Sequence, residues 1–441
     1  MRAMKDSGIE WIGKIPQEWN TIRLRSRFSF GKGLPITKAD LTESGIGVVS
    51  YGQIHSKANI GTTIKSELVR YVDTKYLTTN ESSLVSNGDF IFADTSEDIS
   101  GCGNCVYVDV EEPLFAGYHT MILRPVNDIS TKYYSYLFAT DAWRSQIRAQ
   151  ASGVKLFSIT QKMIRDTLLI EPSEEEKERI VEYLDEKCAA IDTLIAAKEK
   201  TNTLLKERRQ TIIYEAVTKG LNPDAPMKDS GIEWIGEIPE HWTAWRMKHL
   251  ASEPLQYGAN ATGVEFRDDI PRYVRITDIT ADRKLSNDGK QSLEADIAQD
   301  YMLKDGDILF ARSGATSGKS FYYEDKYGPC CFAGYLIKLR TDNSKALSKF
   351  LYYYTLTQAY ENWTQQIFIQ ATIQNISADK YNNLWFAIPE LLEEQADIVA
   401  YLDKRCFEMD ALIAANEATI QKLKEYRQSI IYEAVTGKIE V

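Results

Sequence analysis

Apolar residues recur at intervals of seven along two stretches of this chain, a spacing typical of long helices that pair with one another. The first stretch, residues 174–218, contains neither proline nor glycine. Three consecutive glutamates open it, where the positive end of a helix dipole favours acidic side chains. Ser173 is a suitable N-cap, and Gly220 and Pro223 follow the end. We therefore predict one uninterrupted helix over residues 173–219.

Two lines of residues at this seven-residue interval define the expected packing face. They are Leu184, Ile191, Lys198, Leu205 and Ile212 in the first stretch, and Leu402, Met409, Asn416, Leu423 and Ile430 in the second. Each line is apolar except at its third member. We expect an antiparallel coiled coil in which Lys198 faces Asn416, because a polar core position fixes register. About 43 residues give a rod of roughly 65 Å, which would serve as a spacer. Ordinary packing of each helix on a domain, with Lys198 in solvent, is the alternative.

Two segments of the sequence each occur twice in the chain. Residues 4–19 recur as residues 227–242 with 13 of 16 positions identical, and residues 180–218 recur as residues 398–436 with 25 of 39 identical. The stretches between these copies differ from one another. Such a duplication predicts a constant frame that carries two dissimilar domains.

Short apolar islands nevertheless align between the two dissimilar stretches. They are 48–54 with 273–279, 88–93 with 306–311, and 115–118 with 332–335. Their β-rich composition predicts the shared strands of one α/β (α+β) fold, with variable loops between them. The expected segments are a repeat segment at 1–19, a variable domain at 20–172, a long helix at 173–219, a linker and repeat segment at 220–242, a second variable domain at 243–391 and a second long helix at 392–441.

The 441-residue chain carries a formal net charge of −11, but the acidity is unevenly distributed. Residues 20–172 contain 16 basic and 16 acidic side chains, and residues 243–391 contain 17 and 18. The repeated parts therefore hold most of the negative charge, while the variable domains remain free to present basic faces to a polyanion. The N-terminus lacks the apolar stretch of a signal peptide and no apolar run is long enough to span a membrane, so we expect a cytoplasmic protein.

Few residues are arranged for catalysis or metal binding. The six cysteines include a single Cys-x-x-Cys, at Cys102 and Cys105. A zinc site needs about four ligands, so we expect reduced thiols and no metal. The segment 313–320 approaches a phosphate-binding loop, but a serine replaces its first glycine and a strand-like segment follows. Four scattered histidines support no hydrolase triad. We therefore expect a chain without catalytic residues of its own.

The chain resembles the specificity subunits of type I restriction-modification systems in three motifs, which are Lys5–Gly13 with its copy at 228–236, Gly306–Gly314, and Glu394–Asp403. The resemblance covers nearly the whole chain. It implies that each variable domain is a target recognition domain for one half of a split double-stranded DNA site, and that the helices set the gap between the halves. It also implies that the repeats bind two adenine methyltransferase subunits, which restriction-translocase subunits join in a host-defence complex.

The same resemblance implies that S-adenosylmethionine, ATP and magnesium belong to the partner subunits and that this chain needs no cofactor itself. It would be required for DNA methylation and restriction without catalysing either reaction. A free-standing DNA-binding or scaffold protein that reuses the same domains is the alternative. Co-purification with two methyltransferase subunits per chain would separate the two hypotheses.

Base edges in DNA are read by arginine, lysine, asparagine and glutamine, and by acidic side chains that accept from cytosine. The candidates in the first variable domain are Gln53, His55, Lys57, Asp94, Ser96 and Lys155. Those in the second are Arg272, Arg275, Arg312, Ser313, Thr316, Lys319, Gln370, Gln374 and Asn375. Each could instead be a phosphate contact or a solvated loop residue. Because Asp94 stands where the second domain has Arg312, we expect the two domains to prefer different bases and the DNA site to be asymmetric.

The repeated helix ends are the expected docking sites for partner subunits. Tyr214 and Tyr432 are the candidate contact residues, and they lie in the identical segments 212–218 and 430–436. Contacts within this chain are the alternative role for each tyrosine.

Overall fold

The computed structural model describes residues 2–59, 61–127, 129–153, 155–314, 316–369 and 375–441. The chain forms two compact units, one made of Met1–Lys198 with Ala418–Val441 and the other of Glu199–Glu417. Each unit therefore contains one variable domain and a part of both long helices. In the part of the chain that the structure describes, no helix is long and apolar enough to cross a membrane.

The two long helices extend over Glu174–Lys219, with 46 residues, and Leu392–Val435, with 44 residues. The predicted N-cap of the first helix is confirmed, because the Ser173 hydroxyl accepts the backbone N–H of Glu176 at 3.3 Å. The second helix ends at Val435 and not at residue 441 as predicted. Gly437, in the left-handed region at φ +66°, turns the chain there.

The two long helices pair antiparallel within each unit. The core of the first unit contains Leu184 of the first helix and Ile430 of the second, and the core of the second unit contains Ile212 and Leu402. The N-terminal half of one helix thus packs beside the C-terminal half of the other, and the predicted antiparallel coiled coil is confirmed. The same cores include or contact Ile191, Leu205, Met409 and Leu423.

Ion pairs bridge the helices at matched places in the two units. In the first unit the Arg427 Nε lies 3.0 Å from the Asp192 carboxylate. In the second unit the Arg209 Nε lies 3.3 Å from the Asp410 carboxylate. The repeated sequence therefore supplies this interhelical ion pair once in each unit.

A polar layer interrupts the apolar core of the second unit. The Asn416 amide donates to the Asn202 carbonyl oxygen at 2.9 Å, and Asn202 is buried. Asn202 was not on the predicted line, because it belongs to a second heptad position of the first helix. Lys198 is half-buried, and its predicted pairing with Asn416 stays a prediction.

Two sheets form the first variable domain. A four-stranded antiparallel sheet has the order Cys105–Tyr107, Phe90–Ala93, Thr120–Pro125, Phe28–Lys32. A five-stranded sheet has the order Leu41–Thr42, Arg70–Val72, Ile46–Val49, Leu114–Ala116, Leu84–Val85. Further strand pairs are Asn20–Arg23 with Leu168–Glu171 and Thr95–Ser96 with Phe157–Ser158. The α-helices are Tyr51–Ile54, Tyr76–Thr79, Lys132–Ala139, Asp141–Arg148 and Gln161–Arg165.

The second variable domain repeats this plan. Its antiparallel sheet has the order Gln256–Tyr257, Leu336–Leu339, Ile308–Ala311, Ser320–Tyr322. Its other sheet has the order Val264–Glu265, Gln291–Ser292, Arg272–Val274, Cys330–Phe332. Trp242–Arg246 pairs with Trp385–Pro389. The α-helices are Met247–Leu250, Ala295–Ala298, Ser348–Tyr354, Gln358–Ile369 and Ala378–Asn382.

The aligned islands are the framework strands of both domains, as predicted. The islands at 88–93 and 306–311 become interior strands of the antiparallel sheets, Phe90–Ala93 and Ile308–Ala311. The other islands supply one parallel strand pair in each second sheet, namely Ile46–Val49 with Leu114–Ala116 and Arg272–Val274 with Cys330–Phe332. The two variable domains therefore share one α/β (α+β) topology although their loops differ.

The repeated N-terminal segments form hairpins, Met4–Asp6 with Lys14–Pro16 and Met227–Asp229 with Glu237–Pro239. Each hairpin packs its isoleucines onto the end of a long helix within its own unit. Beyond each hairpin a buried tryptophan donates its indole N–H to a helix glutamate. Trp19 donates to Glu176 at 2.9 Å and Trp242 donates to Glu394 at 3.0 Å.

A second repeated contact joins each variable domain to a long helix. The Tyr136 hydroxyl donates to Asp185 at 2.6 Å, and the Tyr353 hydroxyl donates to Asp403 at 2.6 Å. A lysine pairs with each of these aspartates as well. The duplicated Tyr-Leu-Asp sequence thus supplies the carboxylate that fastens each domain.

Candidate nucleic-acid interface

One position at the end of an interior strand is equivalent in the two variable domains and carries opposite charge. We call it the strand-end position; it is Asp94 in the first domain and Arg312 in the second. The Asp94 backbone N–H donates to the His119 carbonyl at 3.1 Å, and the Arg312 backbone N–H donates to the Tyr335 carbonyl at 3.0 Å. These matched backbone bonds make His119 and Tyr335 structural counterparts as well.

The register of the antiparallel sheets adds a third equivalent pair. Lys32 lies opposite Met121 in the first domain, and Tyr257 lies opposite Ile337 in the second. Met121 lies two residues after His119, and Ile337 lies two residues after Tyr335. Lys32 and Tyr257 are therefore neighbours of the strand-end position on the edge strands.

A fourth pair comes from the segment that closes each site. The Asp94 carbonyl accepts the N–H of Ile159 at 2.7 Å, and the Arg312 carbonyl accepts the N–H of Ile376 at 2.9 Å. The residue before each of these is Ser158 in the first domain and Asn375 in the second. Asn375 pairs with Ser313 as an antiparallel bridge.

In the first domain these positions line one cleft of about 440 Å³, which includes Lys32, Asp94 and His119. The Thr95 hydroxyl donates to the Asp94 carboxylate at 2.7 Å, and the His119 Nδ1 lies 3.3 Å from the same carboxylate. His119 adopts φ +54° although it is not glycine, and its side chain is 58% exposed. Strain of this kind concentrates at functional sites. The Tyr51 ring packs edge-on against His119 at 5.4 Å between centroids.

In the second domain the same place holds an arginine whose guanidinium lies over a tyrosine ring. The Arg312 guanidinium carbon lies 4.9 Å from the centre of the Tyr257 ring. The Tyr257 hydroxyl accepts the backbone N–H of Ala378 at 2.9 Å, which holds the ring in place. Among the described residues, the buried Arg312 Nε and the buried Asn375 Oδ1 have no hydrogen-bond partner. Tyr335 is 61% exposed beside them.

The other candidates of the first domain lie in varied settings. Gln53 accepts the Ser50 backbone N–H at 2.9 Å and thus caps a short helix. The His55 Nε2 lies 2.9 Å from the Thr95 carbonyl, next to the strand-end position. Ser96 is buried, and its hydroxyl donates to the Asp98 carbonyl. The two candidate lysines, Lys57 and Lys155, are exposed.

Several candidates of the second domain are held by contacts inside the domain. Arg272 is only 8% exposed and donates to the Ser286 carbonyl, because its strand is buried on both faces. Arg275 pairs with Asp278 at 2.7 Å. A DNA contact by either one stays a prediction.

Residues of the loop after Arg312 also make hydrogen bonds within the domain. The Lys319 ammonium donates to the Thr280 carbonyl at 2.8 Å, and burial lowers the pKa of Lys319. Thr316 is half-buried, and its carbonyl accepts the Lys319 backbone N–H at 3.0 Å. The candidates Gln370 and Gln374 lie outside the described residues. A strand, Ser320–Tyr322, follows this loop, as expected from the sequence.

Sequence reasoning missed four of the residues that surround the strand-end position, namely Lys32, His119, Tyr257 and Tyr335. The aligned Phe-Ala-Gly-Tyr islands at 115–118 and 332–335 pointed to this part of the fold without indicating its use. The two edge-strand residues become neighbours only through the register of a nonlocal strand pair. That register is not legible in a single sequence.

The proposed docking tyrosines make contacts within the chain. The Tyr432 hydroxyl donates to the Ile12 carbonyl at 3.2 Å, and the Lys438 ammonium lies 4.0 Å from the Tyr432 ring centre. Tyr214 is half-buried against the core of the second unit. A contact of either tyrosine with a partner stays a prediction. Two leucines at matched helix positions are more accessible, since Leu194 is 52% exposed and Leu412 is 56% exposed.

The six cysteines are free thiols. Burial raises the pKa of Cys105 to about 12, so this thiol stays protonated at neutral pH. Within the described ranges, no three or more histidine, cysteine, aspartate or glutamate side chains are grouped so that they could hold a metal ion.

The chain is similar to a known protein family along most of its length. The model for the type I restriction modification DNA specificity domain matches residues 16–205 and 272–425. The StySPI type I restriction enzyme specificity subunit of Salmonella potsdam is 23% identical over 97% of this chain and 90% of the relative. The MjaVIII specificity subunit of Methanocaldococcus jannaschii is 22% identical over 97% of this chain and 94% of the relative.

Two solved structures share the fold. One comes from work on complex assembly and conformational transition of the type I restriction-modification system; it has a TM-score of 0.70 at 19% identity and covers 96% of this chain and 99% of that chain. The other is the HsdS subunit of Thermoanaerobacter tengcongensis, with a TM-score of 0.52 at 19% identity, 96% of this chain and 98% of that chain. With the family model matching twice, this chain belongs to the type I restriction-modification DNA specificity family.

Proposed function

We propose that this chain, a DNA specificity subunit of a type I restriction-modification system, reads a two-part DNA site with one half on each variable domain. One observation carries the proposal: two domains of the same topology present different chemistry at the same strand-end position, Asp94 in one and Arg312 in the other. Two unlike readers call for an asymmetric site. The paired long helices fix the gap between its halves, because a reader's geometry sets half-site separation.

The charge distribution supports a role inside an assembly. The variable domains are close to neutral and the remainder is acidic, so this chain alone offers limited attraction to phosphates. Phosphate contacts supply a large part of the affinity of most DNA-binding proteins. We infer that partner subunits contribute many of those contacts, while this chain contributes base selection and spacing. The chain itself does no chemistry in this proposal.

Two methyltransferase subunits would dock on surfaces that the sequence supplies twice. The exposed Leu194 and Leu412 are such a pair, since each stands at the same position of its repeated helix. The two repeated hairpins, each packed on a helix end, form a second matched pair of surfaces. A two-to-one assembly follows naturally from a chain that duplicates its docking surfaces.

The test is selection of DNA from a library of randomised duplexes by the full chain bound to its methyltransferase partner. We expect a consensus of two unlike half-sites separated by a gap of fixed length. A continuous or palindromic consensus would contradict the proposal. Sequence-specific binding by the chain alone, with no methyltransferase in the purified material, would favour a free-standing DNA-binding protein.

A further inference from the structure

The geometry points to Arg312 as the residue that selects a guanine in the half-site read by the second variable domain. This inference rests on the proposed function and deepens it, since it assigns one base to one side chain. Guanine presents two acceptors, O6 and N7, in the major groove, and arginine is the side chain that most often pairs with both.

The guanidinium of Arg312 is held before any ligand arrives. Its carbon lies 4.9 Å from the centre of the Tyr257 ring, and the Tyr257 hydroxyl is fixed by the backbone N–H of Ala378. A cation–π contact with an aromatic face restricts where the guanidinium lies but leaves its outer N–H groups available. A pre-positioned fork loses less entropy when it forms two parallel hydrogen bonds, which favours bidentate pairing.

Arg312 also differs from the other partly buried arginines of its domain. Arg275, Arg283 and Arg340 each donate to a carboxylate, a hydroxyl or a carbonyl of the domain. Arg246 and Arg272 share with Arg312 a buried Nε that has no partner among the described residues, but each donates a terminal N–H, to Asn383 and to the Ser286 carbonyl. Arg312 makes no such bond there. Buried polar atoms are almost always satisfied, so an unsatisfied one marks a place where a ligand or water completes the set.

A second unsatisfied atom lies on the adjoining segment. The Asn375 Oδ1 is buried without a partner among the described residues, and Asn375 pairs with Ser313, the neighbour of Arg312. A donor and an acceptor thus stand unpaired at one strand end.

The opposite charge in the first domain agrees with this assignment. The Asp94 carboxylate occupies the equivalent place and is an acceptor only. It would be repelled by guanine O6 and N7 and would accept from the amino group of cytosine. At the strand-end position, Arg312 would therefore select guanine in one domain and Asp94 would select cytosine in the other.

The experiment uses the full chain bound to its methyltransferase partner and a library of randomised DNA duplexes. We compare the wild type, R312A, R312K and R267A. Arg267 is an exposed arginine of the same domain that pairs with Asp269, so R267A serves as the matched control. For R312A we expect the preference for guanine to fall by about 10- to 100-fold at one position of one half-site. All other positions should stay unchanged.

R312K keeps a positive charge that can still donate to guanine O6 or N7 but lacks the planar fork, so it should weaken the same preference by less than R312A does. Thermal melting of each variant shows whether it folds. If R312A folds poorly, R312K still tests the inference. R267A should retain the wild-type consensus.

Each outcome has a defined meaning. A wild-type complex that selects no two-part consensus would overturn the proposed function itself. A two-part consensus that R312A and R312K leave intact, with weaker binding to every duplex, would make Arg312 a phosphate contact and overturn this inference alone. The inference would also be overturned if the relaxed position preferred a base other than guanine.

Discussion

Lys177 is a fully buried cation in the first unit, and its removal should destabilise that unit selectively. Its ammonium donates to Glu171 at 2.7 Å, to Glu174 at 2.8 Å and to the Tyr134 hydroxyl at 3.0 Å. Loss of one partner from a buried ion pair costs about 3–5 kcal/mol. Arg27 still lies 3.2 Å from Glu171 in K177A, so we expect about 3 kcal/mol, at the lower end of that range.

The second unit supplies a matched control at the equivalent position, Gln395. This side chain is also fully buried, but it bonds backbone groups of Leu347, Lys345 and Pro389. Q395K would place a cation among backbone groups with no contacting carboxylate. It should therefore destabilise the second unit, although lysine is the natural residue at this position of the first.

The assay combines thermal melting with hydrogen-exchange mass spectrometry, which reports on each unit separately. A loss of about 3 kcal/mol lowers the melting temperature by roughly 6–12 °C for a unit of some 200 residues. In K177A, faster exchange should be confined to peptides of the first unit, and in Q395K to peptides of the second. A K177A transition within about 2 °C of wild type would refute this reasoning, as would faster exchange in both units alike.

The same cluster predicts a pH dependence. Burial acts to raise the pKa of Glu174, but hydrogen bonds from Lys177 and from the Ser130 backbone N–H outweigh it and hold the pKa below its usual value. A carboxyl whose folded-state pKa is depressed stabilises the fold above its unfolded pKa and loses that contribution as the pH falls. The first unit should therefore lose stability below about pH 4.3, the usual pKa of an unfolded glutamate. K177A should show a smaller loss over that window.

Three further predictions concern the strand-end position, the core between the long helices, and the exposed leucines Leu194 and Leu412. D94N should change the preferred base from cytosine towards adenine, because an asparagine amide pairs with adenine. Duplex selection should show this change at one position of the half-site read by the first variable domain, which the Arg312 variants leave unchanged. An unchanged consensus would contradict this prediction. N416A should cost about 1–3 kcal/mol in thermal or urea unfolding, since it strands a buried partner amide, and a neutral result would argue against the polar layer. L194E and L412E should each reduce the methyltransferase stoichiometry from two to one in native mass spectrometry, whereas L204E, at an exposed position without an apolar counterpart in the second helix, should leave it at two.

The helices and the framework strands could be predicted because their signals are local. A run without proline or glycine, an apolar residue at every seventh position and the N-cap Ser173 all act within a few turns. The β-rich islands stood out because the chain contains its own second copy for comparison. Among the boundaries of the long helices, only the predicted end of the second helix at residue 441 was wrong. The helix ends at Val435, because Gly437 turns the chain there.

The site was only partly predictable, because side-chain use depends on nonlocal packing. Arg272 and Arg312 look equally suited to DNA in the sequence, yet one lies in a buried strand and the other lies over an aromatic ring at a strand end. Tyr257 becomes a neighbour of Arg312 only through strand pairing across the sheet. Asn202 was missed for a similar reason, since its role depends on which residue of the second helix it meets.

The distribution of identity between the two halves has a physical meaning. The positions shared by both copies include those that join hairpin, domain and helix, such as Trp19 with Glu176 and Tyr136 with Asp185. The strand-end position lies outside these contacts, and its backbone bonds do not depend on the side chain. Asp94 and Arg312 can therefore differ in charge while the same fold holds both. A change of base preference in one half consequently requires no compensating change in the frame or in the other half, which is the independence that a two-part reader needs.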